Sequence, residues 1–210
     1  MIQVLIADDH VVVRKGLRQI LSEVPDIVVG GEAESVEEVM ALVRREAWSV
    51  AILDIKLKGG SGLDLVPRIR KERPGLPVLI LTVYPEDQYA VRAIRAGAAG
   101  FLTKESATEK LIEAVRKVAS GGRYVSPEVA ETLASVLAGE SGGEPHERLT
   151  DREFEILKML GSGQTVSEIA TTLGLSVKTV STHRTRILGK MNLRTNAELM
   201  RYAMQAKLVE

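Results

Sequence analysis

Hydrophobic patterning changes character once along the chain. Through the first 120 residues, short apolar runs at 2–7, 26–31, 50–53, 77–82 and 99–102 alternate with amphipathic stretches of helical length. These stretches lie at about 11–23, 35–46, 62–72, 86–97 and 106–119. In the last of them Leu111, Ile112, Val115 and Val118 recur at spacings of three and four, the repeat of one helix face. Apolar runs without polar alternation suit strands buried on both sides, and strand–helix alternation builds a parallel sheet with helices on both faces. The expected fold is therefore α/β: a flavodoxin-like, doubly wound, five-stranded parallel sheet in the order 2-1-3-4-5.

Beyond residue 120 the strand signals stop. Ser126-Pro127-Glu128 reads as a helix start with proline in the first turn, and the glycines, Ser141 and Pro145 that follow read as a flexible linker. Four helical segments come next, at about 150–161, 165–173, 177–190 and 195–206. Thr150 and Glu153 are spaced as a capping box, and Gly174 supplies a residue tolerant of positive φ between the second and third segments. The expected division is 1–120, a partly helical linker over 121–145, and an all-α four-helix domain of helix-turn-helix type over 146–210.

Composition narrows the function classes. The 210 residues contain no cysteine, which removes disulfide scaffolds, thiolate zinc sites and cysteine nucleophiles. No charge-free stretch approaches the ~18 residues of a membrane span, and MIQVLIADDH lacks the basic start of a signal peptide. A soluble cytoplasmic protein is expected. The zero net charge is unevenly spread: residues 1–145 carry 18 basic and 21 acidic side chains, residues 146–210 carry 10 and 7. Within 176–194 stand Lys178, Arg184, Arg186, Lys190 and Arg194 without one acid, which fits nucleic acid better than the total suggests.

Three carboxylates fall at the C-terminal ends of expected strands: Asp8 and Asp9 after the first, Asp54 after the third. In the 2-1-3-4-5 order these strands are neighbours and flank the topological switch point. Carboxylates converging there repel one another unless a cation is present, and hard oxygen ligands with open positions suit Mg²⁺. Thr82 ends the fourth strand and Lys104 follows the fifth. A carboxylate nucleophile, a divalent ion, a hydroxyl and a lysine can together hold a phosphoryl group on aspartate. Singly, each residue has a plainer reading: Asp9 as a helix cap, Lys104 as a solvated surface charge.

The motifs "LIADDH", "AILDI", "LILTVY" and "GFLTKES", in this order and spacing, resemble the receiver domain of a two-component response regulator over residues 1 to about 120. The resemblance implies that Asp54 is the phosphoacceptor, and that Asp8, Asp9, Asp54 and the backbone carbonyl of Lys56 hold Mg²⁺. It implies that Thr82 and Lys104 contact the phosphoryl oxygens and that Phe101 occupies the switch-aromatic position. Many members carry tyrosine there; phenylalanine keeps the ring and loses the hydroxyl, and a plain core role is the alternative. Val83 is bulkier than the small residue often found after the threonine.

The segment TVSEIATTLGLSVKTVSTHRTRILGKM has helix-turn-helix spacing. Val166, Ile169, Ala170 and Leu173 make the expected buried side of a first helix, and Val177, Val180, Ile187 and Leu188 that of a second. Outward lie Lys178, Ser181, Thr182, Arg184, Thr185 and Arg186, short polar groups flanked by cations as major-groove insertion requires. From "LTDREFEIL" onward the chain resembles the LuxR-type DNA-binding domain, and as a whole a NarL/FixJ-type response regulator. That resemblance places base-edge contacts at Ser181, Thr182 and Thr185 and phosphate contacts at Lys178, Thr179 and Arg184. His183, Arg186 and Lys190 belong to the same DNA-facing set, His183 without an assigned role. The implied partners are a sensor histidine kinase, double-stranded promoter DNA and a second copy of the chain when phosphorylated or DNA-bound, with RNA polymerase left open. An apolar stripe on the last helix (Leu199, Tyr202, Ala203, Ala206) is the expected pairing surface.

Two rival readings share the α/β fold. An aspartate-nucleophile phosphohydrolase would place its nucleophile after the first strand, a second carboxylate two residues on, and add a cap domain. Here the first-strand pair is adjacent and the second domain is helical. "GGSG" at 59–62 follows a strand but lacks the lysine of a P-loop.

Overall fold

The computed structural model describes residues 1–137 and 144–209. It divides into two compact units, Met1–Leu137 and Ala138–Glu210. The linker residues 138–143, including Ser141 and three of the glycines, lie outside the described residues.

The first unit is a five-stranded parallel sheet of β1 (Ile2–Ala7), β2 (Ile27–Ala33), β3 (Val50–Leu53), β4 (Val78–Thr82) and β5 (Gly100–Thr103), in the order β2-β1-β3-β4-β5. The connecting helices are α1 (Val11–Ser22), α2 (Val36–Arg45), α3 (Gly62–Glu72), α4 (Glu86–Ala96) and α5 (Ala107–Ala119). Every element lies within two residues of its expected limits, because the apolar runs end where polar residues meet water. β3 and β4 are buried at every position, as a central strand covered on both faces must be. Val4, Ile6, Ile52, Leu79 and Leu81 meet Leu111, Val115 and Val118 of α5 in one core. A two-stranded antiparallel ribbon, Lys56–Leu57 with Gly60–Ser61, leads from β3 into α3 and has no counterpart in the sequence pattern.

After α5 the chain returns along the open edge of β5. Tyr124 accepts from the Phe101 amide at 2.9 Å and donates to the Ala99 carbonyl at 3.0 Å. A side chain at Gly100 would come within 2.8 Å of the Tyr124 carbonyl, so the close approach needs glycine. Helix α6 (Pro127–Leu137) then lies against α4.

The second unit contains a 3₁₀ turn at Pro145–Arg148, then α7 (Asp151–Gly161), α8 (Val166–Leu173), α9 (Val177–Lys190) and α10 (Asn196–Gln205). Pro145, expected in a flexible stretch, opens that turn. Capping boxes start α7 (Thr150 with Glu153) and α8 (Thr165 with Glu168), and Gly174 closes α8 at φ 62°. Phe154, Ile156, Leu157, Ile169, Val180, Ile187, Leu199 and Ala203 form the core. Two expectations fail here. Val177 is 51% exposed rather than buried, because it stands in the first turn of α9, outside the overlap with α7 and α8. Leu199 and Ala203 of the C-terminal stripe are fully buried against α7, so this half of the stripe closes its own domain, while Tyr202 and Ala206 are half-buried. The exposed large apolar residues of α10 are Met200 and Met204.

Candidate functional site

The sheet ladder sets the acidic residues in place. The Asp54 amide donates to the Ala7 carbonyl at 2.8 Å, and the Asp8 amide to the Ala33 carbonyl at 3.1 Å. Asp8 and Asp54 therefore stand side by side at the carboxyl ends of β1 and β3, both buried. Two strands away, the Lys104 amide donates to the Thr82 carbonyl at 2.8 Å, and Thr82 is fully buried. The Lys104 ammonium reaches back over the rim to Asp54 Oδ2 at 2.7 Å and Asp8 Oδ2 at 2.5 Å. Burial depresses the Lys104 pKa, but hydrogen bonds and charge from Asp54 and Asp8 outweigh it and hold the ammonium above its ordinary value.

Lys104 pairs with Asp8 and Asp54, while Asp9 meets the imidazole of His10. Asp54 Oδ1 is buried without a hydrogen-bond partner. Burial of an unsatisfied carboxylate oxygen costs on the order of 1–3 kcal/mol or more, which a bound cation removes. Asp8, Asp9 and His10 offer donor atoms within 4.8 Å of one another. The His10 Nδ1 approaches Asp9 Oδ1 to 2.5 Å, while the His10 amide donates to Asp8 Oδ1 at 2.8 Å. Carboxylate oxygens dominate the set, so a hard ion such as Mg²⁺ fits it better than a soft one. Lys56 begins the ribbon two residues past Asp54 with its side chain exposed. Phe101 is buried, its ring inside the first unit, and Val83 is 71% exposed beside buried Thr82.

Two supports escape sequence reasoning. Arg14 donates from Nη1 to the Asp8 carbonyl at 2.6 Å and from Nε to Glu32 at 3.1 Å, bracing the β1 end against β2. Gly62 opens α3 directly under Asp54: a Cβ there would lie 1.9 Å from the Asp54 carbonyl oxygen. The only signal for Gly62 is the glycine-rich run at 59–62, whose relevance appears once the ribbon folds it back.

On the second unit α9 presents Lys178, Thr179, Ser181, Thr182, Thr185 and Arg186 as exposed residues. Ser176 caps the helix, accepting from the Thr179 amide at 3.0 Å, with its hydroxyl 2.7 Å from that of Thr179. Lys178 and Arg186 have no ion-pair partner among the described residues. The other cations are engaged: Lys190 donates to Glu153 Oε2 at 2.6 Å, and Arg184 Nε to Asn196 Oδ1 at 2.6 Å. Burial alone would raise the Glu153 pKa, but Lys190 and the Thr150 amide pull it below the usual range. His183 is half-buried with Nδ1 unpartnered. Its burial, aided by Arg186 and Arg152 against the opposing charge of Glu153, depresses its pKa.

Residues 4–116 match the response regulator receiver domain family, and residues 147–203 the luxR family of bacterial regulatory proteins. The chain is 34% identical to the response regulator GacA of Pseudomonas aeruginosa over 211 residues, covering 100% of this chain and 99% of that protein. It is 36% identical to the response regulator UvrY of Escherichia coli K12, covering 98% and 94%. Among solved structures it resembles RcsB from Salmonella enterica serovar Typhimurium bound to promoter rprA in the presence of the phosphomimetic BeF3⁻. That likeness has a TM-score of 0.64 and 25% identity, and covers 96% of this chain and 97% of RcsB.

Proposed function

The chain belongs to the two-component response regulators, with a receiver domain followed by a LuxR-type DNA-binding domain, and on that premise we propose that Mg²⁺-dependent phosphorylation of Asp54 by a sensor histidine kinase switches its binding to promoter DNA. The observation that carries the reading is Asp54 Oδ1: a buried carboxylate oxygen without a partner, whose twin oxygen is held by Lys104.

In this scheme Oδ1 attacks the phosphorus of a phosphohistidine. The O–P bond forms as the P–N bond breaks, and the departing imidazole nitrogen takes a proton from solvent. Bound beside Asp8, Asp9, Asp54 and the Lys56 carbonyl, Mg²⁺ would offset the charge of the phosphoryl oxygens. Lys104 already spans the two carboxylates, so a short shift brings its ammonium to a phosphoryl oxygen. Thr82 sits with its hydroxyl at the end of β4 to receive another. Phe101 in β5 is the candidate aromatic that follows Thr82. The exposed face of α9, with Lys178, Thr179, Ser181, Thr182 and Thr185, enters the DNA major groove; His183, Arg184, Arg186 and Lys190 flank it. Exposed Met200 and Met204 on α10 offer an apolar contact for a second copy, and a two-fold pair would read half-sites about one helical turn apart. Residues 1–120 then act as the switch, 121–145 as the connection and 146–210 as the reader. The protein works in the cytoplasm, where its phosphodonor and promoter are found; no described helix is long and apolar enough to cross a membrane.

Mass spectrometry after treatment with acetyl phosphate and Mg²⁺ tests the switch. One phosphoryl group on Asp54, lost with chelator or in Asp54→Ala, is expected. Undiminished labelling of Asp54→Ala would overturn the assignment.

A further inference from the structure

Two hydroxyls on the exposed face of α9, those of Thr182 and Thr185, are not free donors. Thr182 donates its hydroxyl hydrogen to the Lys178 carbonyl at 2.9 Å, and Thr185 donates to the Ser181 carbonyl at 3.1 Å. Both residues are exposed, yet each hydroxyl turns to the helix backbone. A β-branched side chain on a helix has few χ1 choices, and both threonines adopt one that bonds the carbonyl four residues back. Turning Oγ1 inward to the helix backbone leaves the methyl group on the outer side. What α9 offers an approaching base at 182 and 185 is thus a methyl group and the remaining lone pairs of an oxygen.

We infer that Thr182 and Thr185 select A·T pairs by meeting the thymine methyl, rather than by donating hydrogen bonds to base edges. The inference rests on the reading of α9 as the major-groove helix. In that groove guanine shows only acceptors, O6 and N7, which a threonine without a free hydrogen cannot satisfy. An A·T pair alone carries a methyl, and beside it the adenine N6 amine, a donor for the threonine oxygen. A G·C pair supplies the cytosine amine without the methyl. The free cations Lys178 and Arg186 are left for phosphates, which are alike in every sequence.

The test starts from full-length protein, treated with acetyl phosphate and Mg²⁺, selecting duplexes from a random double-stranded DNA pool. The selected duplex is then resynthesised with deoxyuridine for thymidine, which removes only the methyl groups. The expected half-site contains A·T pairs, and the uracil duplex binds about fourfold more weakly for each thymine methyl that met a threonine, the worth of one buried methyl-sized group. Thr182→Ser, which lacks the methyl and keeps the hydroxyl, should show that weakening on the thymine duplex and match the wild type on the uracil duplex. Thr182→Val, which keeps a methyl and lacks the hydroxyl, should bind the thymine duplex more tightly than Thr182→Ser does. Equal binding of thymine and uracil duplexes, or a G·C-only half-site, overturns the methyl contact while leaving the groove reading intact. A protein that prefers no duplex over its scrambled version overturns both.

Discussion

The acidic rim and the face of α9 hold their charge in opposite ways. At the rim the cations are committed within the fold: Lys104 to Asp8 and Asp54, Arg14 to the Asp8 carbonyl and Glu32. On α9 Lys178 and Arg186 stand exposed with no ion pair among the described residues. The first arrangement suits chemistry on one small group, since buried charges at fixed distances are weakly screened and geometrically selective. The second suits a long polyanion, since solvated cations displace counterions from phosphates and lose affinity as salt rises. Position along the sequence does not separate the two classes: Lys190 sits on the same helix as Lys178, yet Glu153 holds it as Asp54 holds Lys104.

The sharpest way to break the rim is through its backbone. Gly62→Ala puts a Cβ 1.9 Å from the Asp54 carbonyl oxygen, and a backbone neighbour cannot yield as a flexible side chain would. Urea unfolding should show a loss of about 3 kcal/mol or more, with slower labelling of Asp54. Gly16→Ala is the matched control: nothing lies within 4 Å of a Cβ there, and removing a glycine from the interior of α1 should stabilise by about 0.5–1 kcal/mol. Equal effects of the two would show that the α3 start does not press on Asp54.

The contrast between engaged and free cations separates two lysines of one helix. Lys190→Ala leaves the buried Glu153 carboxylate with the Thr150 amide but no cation, and should cost about 1–2 kcal/mol of stability, with the salt slope of DNA binding unchanged. Lys178→Ala should leave stability within about 0.5 kcal/mol and lower the salt slope by about one. Titrations at several salt concentrations, beside chemical unfolding, decide; a lower slope for Lys190→Ala would move it to the DNA-facing class.

The smallest effect is a pH dependence at His183. Its pKa is depressed in the folded state, so as pH falls through the ordinary histidine value of 6.5 the unfolded chain takes up a proton that the folded ring refuses. The stability present above that value is lost toward acid until the folded ring protonates as well. Thermal unfolding at pH 7.5 and 5.5 should therefore show a smaller acid loss in His183→Gln than in the wild type. An identical loss in both would place the acid sensitivity elsewhere.

Some residues show their place in the fold in one dimension and others do not. Asp8, Asp54, Thr82 and Lys104 were legible because each ends a strand, and a parallel sheet brings strand ends to one rim. The helix-turn-helix was legible because Gly174 and the apolar spacing fall within thirty residues. Gly62 was not: a glycine after a strand looks like any loop until the 56–61 ribbon carries it back under Asp54. Arg14 was not, because it stands on α1 and its partner Glu32 lies 18 residues away on β2. Val177 and the α10 stripe misled because periodicity identifies an apolar face without saying whether another helix reaches it.

By itself the sequence determined the limits of the five parallel strands and their connecting helices to within two residues, the sheet order, and the strand ends at which Asp8, Asp54, Thr82 and Lys104 gather. All of these follow from local spacing and from rules of chain connection that need no side-chain contact. Only the tertiary structure decided how the charges are shared: one ammonium across Asp8 and Asp54, an orphaned oxygen on Asp54, Lys190 held by Glu153 over 37 residues of chain. The physical reason is range. An apolar face is encoded within a turn or two of chain, whereas an ion pair depends on which distant side chains the packed core brings within about 3 Å and shields from water.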